Sequence, residues 1–91
     1  MQRVKKYAYR IKALLRNGLD FELYGRLTNA EARRIADKLN GFYTRSIIKA
    51  FSMEQGSNVH PPQSMIIELN EEGLDAEIDR QILMLKDLPT L

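Results

Sequence analysis

The stretch Tyr7–Leu27, YAYRIKALLRNGLDFELYGRL, decides how this chain folds. Its first part alternates Tyr7, Tyr9, Ile11, Ala13 and Leu15 with Ala8, Arg10, Lys12 and Leu14, and its last part alternates Phe21, Leu23, Gly25 and Leu27 with Asp20, Glu22, Tyr24 and Arg26. A period of two with one apolar set is the pattern of a half-buried strand, and two such runs around a turn make a hairpin. A two-residue turn at Asn17-Gly18 would set Ile11 opposite Tyr24 and Ala13 opposite Glu22, mixing apolar and charged positions on both faces. A three-residue loop, Arg16-Asn17-Gly18, closes with glycine in the left-handed bulge position and pairs Leu15 with Leu19, Ala13 with Phe21 and Ile11 with Leu23. The second register segregates the faces, and it also sets Lys12 across from Glu22 and Arg10 across from Tyr24.

Thr28 follows the hairpin at once and opens a helix with a capping box, its hydroxyl accepting from the Glu31 amide while the Glu31 carboxylate accepts from its own. Ala32, Ile35, Ala36 and Leu39 form the apolar stripe, and Gly41 stands where a left-handed residue would end the helix, which gives a span of about 29–40. Residues 42–53 are rich in β-branched and aromatic side chains and read as a third strand. Burying Phe42, Ile48 and Ala50 turns Tyr43, Arg45, Ile47, Lys49 and Phe51 outward and keeps two cations out of the core. A polar loop, EQGSNVHPPQ over 54–63, leads to a fourth strand at 64–69. A last helix begins at Glu71 or Leu74, with Leu74, Ile78, Ile82, Leu85 and Leu88 on one stripe and Pro89 as its limit. The expected fold is therefore a single α+β domain over 1–91: a four-stranded, mainly antiparallel sheet with two helices on one face, in the order β-β-α-β-β-α.

Charge divides along the chain. Residues 1–50 hold twelve Lys/Arg against four Asp/Glu and residues 51–91 hold two against eight, although the whole chain of 91 carries only +2. Such a split points to charged partners. Without cysteine there is no thiolate nucleophile, no disulfide and no Cys-based zinc site, and the apolar runs are too short to span a bilayer. The basic opening MQRVKKYAYRIK resembles the start of a signal peptide, but Arg10 and Lys12 interrupt any apolar stretch behind it. A cytoplasmic protein with no membrane partner is expected. The single histidine, His60, precedes two prolines and has no visible catalytic or metal-binding companions. The glycine spacing of phosphate and calcium loops is missing, as are a nucleophile elbow, an aromatic RNA-recognition submotif and a helix-turn-helix spacing. No enzyme activity, cofactor or metal is expected.

The candidate site is the sheet face away from the helices, which on this reading presents Arg10, Lys12, Tyr24, Arg26, Tyr43, Arg45, Lys49 and Phe51. Cations interleaved with rings suit nucleic acid, since cations pair with phosphates while rings stack on bases. A second basic patch gathers Lys5, Lys6, Arg34 and Lys38, with Arg3 and Arg33 nearby. The acidic residues Glu71, Glu72, Asp75 and Asp79 at the start of the last helix either offset the basic half within the molecule or meet a basic partner. The expected function is non-enzymatic binding of nucleic acid or a nucleoprotein complex. The alternatives are a small inhibitor of phage or mobile-element type acting on a larger host protein, and a homodimer, which Leu83 favours by falling opposite the last helix's apolar stripe.

Overall fold

In the computed structural model, which describes residues 4–56 and 69–89, the hairpin forms in the segregated register. Strand β1 (Tyr7–Leu15) pairs antiparallel with β2 (Asp20–Leu27), placing Ile11 opposite Leu23, Lys12 opposite Glu22 and Ala13 opposite Phe21. The Leu15 amide donates to the Leu19 carbonyl at 2.7 Å, and Gly18 has the expected left-handed backbone, φ 91°. Helix α1 (Asn29–Thr44) starts with the complete capping box at Thr28 and Glu31. Strand β3 (Ile48–Gln55) then pairs antiparallel with the other edge of β1, and α2 (Glu71–Leu85) closes the fold. The order across the sheet is β2-β1-β3.

Among the described residues the sheet has three strands, where four were expected. Of the segment expected to be the fourth, residues 64–68 lie outside the described residues, and Leu69 forms a parallel bridge to Gly25 on the edge of β2 away from β1. The Arg26 amide donates to the Leu69 carbonyl at 3.1 Å, and the Leu69 amide to the Tyr24 carbonyl at 3.4 Å. Gly25 permits this approach. A Cβ there would stand 2.6 Å from the Leu69 oxygen and 2.6 Å from Leu74 Cδ1.

Helix α1 runs through Gly41 to Thr44, four residues past its expected end. The apolar series Ala32, Ile35 and Leu39 continues to Phe42, which packs on the core, and this burial outweighs the roughly 1 kcal/mol that a helical glycine costs. The left-handed position is Ser46, φ 62°. There the Ile47 amide donates to the Phe42 carbonyl and the Ser46 amide to that of Tyr43, both at 3.0 Å, the hydrogen bonds of a Schellman motif. Phe42 and Ile47, the apolar pair that accompanies such a motif, both pack on the core.

The start of β3 carries the second departure. Leu14 pairs with Ala50 but Leu15 pairs with Ile48, so Lys49 is the extra residue of a bulge. Ile48 and Phe51 are three residues apart and could not share a face of a regular strand. The bulge lets both turn inward, with Met53 following, and leaves Ala50 exposed. The expected inward set of Ile48 with Ala50 is thereby corrected, and so is the outward placement of Phe51.

Both helices cover one face, α1 mainly over β3 and α2 over β2. Between them and the sheet lie Ile11, Leu15, Leu27, Ile35, Leu39, Ile48, Leu74 and Ile78, all fully buried. The side chain of Asn17, in the hairpin turn, donates to the carbonyls of Leu85 at 2.7 Å and Leu88 at 2.9 Å and so ties the end of α2 to the sheet.

Candidate functional site

The expected site residues fall on three surfaces, and their neighbours decide what each surface can bind. On the sheet face away from the helices stand Arg10, Lys12, Tyr24 and Arg26, as the hairpin pattern requires. The pairing register adds Asp20, Glu22 and Glu54 to the same face. Arg10 donates from Nη2 to Glu54 at 2.6 Å and from Nε at 3.2 Å, and its Nη1 is 3.7 Å from Glu22. The Glu54 hydrogen bond and charge, with a smaller contribution from Tyr24, hold the guanidinium pKa above its ordinary value. Tyr24 donates its hydroxyl to Glu22 at 2.8 Å, and this bond together with burial raises the phenol pKa. Its ring is buried, only 6% exposed, and offers no open face for stacking. Among the described residues of this face, three cations meet three carboxylates, so the surface is close to neutral.

The second surface is the seam between the helices, where the secondary basic patch meets the acidic cluster. Arg34 donates to both carboxylate oxygens of Glu71, at 2.6 and 3.1 Å. One turn further along both helices, Lys38 Nζ lies 2.7 Å from Asp75 and 2.9 Å from Asp79. Matching steps on α1 and α2 mean that the helices run parallel. Burial lowers the Lys38 pKa, but its hydrogen bonds to Asp75 and Asp79 outweigh that and the net direction is upward. Lys6 extends the alternation at the N-terminal end, where its charge acts on Glu31; the carboxyl of Glu31 is held below its ordinary value chiefly by the Thr28 amide. Lys5 instead lies over the Tyr7 ring, 5.5 Å from its centre. Glu72 is exposed. The expected basic patch and acidic surface are thus largely each other's partners.

The third surface lies at the corner where α1 ends and β3 begins. Arg16, Tyr43, Thr44, Ser46, Ile48 and Lys49 line an open cleft of about 360 Å³ that has no carboxylate among its described lining residues. The Schellman turn swings the chain around Ser46, and the bulge places Lys49 beside the hairpin end that carries Arg16. Tyr43 is 53% exposed and belongs to the last turn of α1 rather than to a strand. Arg45 caps that helix, its guanidinium 4.7 Å from the centre of the Phe42 ring and its Nε donating to the Gly41 carbonyl at 3.2 Å. Tyr43 and Lys49 therefore line one cleft, whose described lining includes neither Arg45 nor Phe51.

Arg16 was missed because turn residues are ordinarily solvated. The spacing that signals the corner is in the chain nonetheless: Phe42 and Ile47 five apart, and Ile48 and Phe51 three apart, fit a helix end followed by a bulge and not one continuous strand. Among the described residues, no group of three or more His, Asp or Glu side chains could hold a metal ion, and no helix is long and apolar enough to cross a membrane. His60 lies outside the described residues. No family model, curated protein or solved structure matches the chain.

Proposed function

We propose that this chain is a non-enzymatic binding module for nucleic acid, and that it grips the strand at the α1–β3 corner. The observation that carries this reading is the contrast in how cations are answered. Arg10, Arg34 and Lys38 spend their charge on carboxylates of the same molecule, whereas Arg16 and Lys49 face an open cleft with an accessible tyrosine ring and two hydroxyls, those of Thr44 and Ser46. Two cations and the Ser46 hydroxyl suit a phosphate, the Thr44 hydroxyl being donated to the Asn40 carbonyl at 2.8 Å, and a ring beside them suits an unpaired base, whose stacking is worth ~1–3 kcal/mol.

The test is fluorescence anisotropy of a labelled single-stranded oligonucleotide titrated with the protein over a series of salt concentrations. Binding should weaken steeply with salt, and the double variant Arg16→Ala with Lys49→Ala should reduce the logarithmic salt slope by about 1.4, roughly 0.7 for each single-strand phosphate no longer neutralised. Tyr43→Leu should weaken binding with the slope unchanged. Failure to bind at low salt would overturn the reading.

A second reading, an inhibitor that docks on a larger protein, is favoured by the exposure of Leu83, Met84 and Leu88 at the end of α2. It predicts a stoichiometric protein complex that survives nuclease treatment and is lost with Leu83→Glu.

A further inference from the structure

We infer that Asn17 is a masked deamidation site whose modification unlatches α2 from the hairpin. Its side-chain amide is used at both ends. Nδ2 donates to the carbonyls of Leu85 at 2.7 Å and Leu88 at 2.9 Å, with a longer contact of 3.4 Å to that of Lys86, while Oδ1 accepts from the Leu19 amide at 3.1 Å. Only a group with a donor on one side and an acceptor on the other can serve both sets of partners. A carboxylate has no donor, and it would face carbonyl oxygens at the negative end of a helix.

The residue that follows is Gly18, which has no side chain to hinder attack by its backbone nitrogen on the preceding carboxamide. In that reaction the Gly18 nitrogen gives up its proton and bonds to Asn17 Cγ. The Cγ–Nδ2 bond breaks, ammonia leaves, and a five-membered cyclic imide closes. A solvent water then opens one of the two imide C–N bonds, leaving aspartate or isoaspartate.

The docked fold holds each participant away from this path. Nδ2 and Oδ1 are bound as described, the Gly18 amide donates to the Leu15 carbonyl at 3.0 Å, and the Gly18 backbone is set at φ 91°. Release begins at the end of α2, where Leu83, Met84, Lys86, Asp87 and Leu88 are exposed and the closing turn has few buried neighbours to hold it. Each undocking frees the carboxamide. Once converted, the side chain repels the carbonyls it formerly capped, so the change runs one way and records how long α2 has spent undocked.

The experiment incubates the whole protein at mildly alkaline pH, in native buffer and in denaturing urea, and follows residue 17 by peptide mapping with mass spectrometry. It also compares Asn17→Asp and Asn17→Ala with the parent by thermal melting and amide exchange. Deamidation should be many-fold slower in native buffer than in urea. Asn17→Asp should melt below Asn17→Ala, and should lose protection at the amides of Lys86 and Leu88 while α1 amides stay protected. Equal deamidation rates in the two buffers would overturn the masking. An Asn17→Asp protein as stable and as protected as the parent would overturn the latch.

Discussion

The helix seam and the α1–β3 corner hold similar cations in opposite circumstances. Arg34 and Lys38 are matched by Glu71, Asp75 and Asp79 across two parallel helices, whereas Arg16 and Lys49 flank a cleft without a carboxylate among its described lining residues. The seam sets two cations of the basic half against three carboxylates of the acidic half. The corner keeps Arg16 and Lys49 where an outside ligand can meet them. A segregated charge distribution along the sequence is therefore not a segregated surface, because folding laid the acidic helix against basic residues of α1.

The largest test of that contrast acts on the placement of α2. Gly25→Ala would drive a methyl into the Leu69 carbonyl and the Leu74 side chain, each 2.6 Å from the added carbon. It should destabilise the domain by about 1–3 kcal/mol, read as a lowered melting temperature, with the seam disturbed more than the corner. Wild-type stability would mean that α2 does not sit where the seam requires.

Next in size are two substitutions at the helix end that presents the corner. Gly41 is helical and an added Cβ meets nothing within 4 Å, so Gly41→Ala should stabilise by about 0.5–1 kcal/mol. Ser46→Gly should stabilise by a similar amount, roughly 1 kcal/mol, by relieving a positive φ. If α1 ended at Asn40 with Gly41 left-handed, Gly41→Ala would destabilise instead, so the sign of one urea midpoint locates the corner.

Lys38→Met probes the seam itself. It leaves Asp75 and Asp79 facing each other one turn apart and should cost about 0.5–1 kcal/mol at low salt, less at high salt. The pH dependence follows from the raised Lys38 pKa. A raised value means stability that is complete below the unfolded lysine pKa and lost as pH rises through the folded one, so the wild type should lose this increment at strongly alkaline pH and Lys38→Met should not. Glu31 behaves oppositely. Its lowered pKa gives stability that is present above the unfolded carboxyl value and lost as pH falls through the folded one, and Glu31→Gln should flatten that acid limb of a pH–stability curve.

The smallest expected effect on stability is the most telling for the comparison. Arg16→Ala with Lys49→Ala should change stability by less than about 0.5 kcal/mol while weakening oligonucleotide binding and its dependence on salt. A double variant that melts early would make the corner a structural feature like the seam.

How much of this was legible in the chain follows from the range over which each decision is made. The hairpin register, the Gly18 turn and the Thr28–Glu31 box are settled by residues within a few positions of one another, and the sequence pattern matches the structure at each. The extension of α1 was not legible from Gly41, because what overrides the glycine is the packing of Phe42 on a core assembled from distant segments. The bulge at Lys49 was hidden for the same reason: a face count along 42–53 assumes one regular strand, and only pairing with β1 shows where the count must slip. Of the expected site, Tyr43 and Lys49 line one cleft, Arg45 lies over Phe42 at the end of α1, Arg10 and Tyr24 are engaged with Glu54 and Glu22, and Phe51 belongs to the core side.

By itself the sequence determined an α+β chain with a hairpin of defined register, a capped first helix, an apolar stripe for the last helix and a surplus of cations in its first half. Tertiary structure alone decided that β3 joins β1, that Leu69 bridges Gly25 on the edge of β2, and that α2 runs parallel to α1 with its carboxylates on Arg34 and Lys38. Local hydrogen bonding and side-chain periodicity act over a few residues and can be read in order along the chain. Burial and ion pairing join residues tens of positions apart, and which cations stay open to a partner depends on which carboxylates the fold brings beside them.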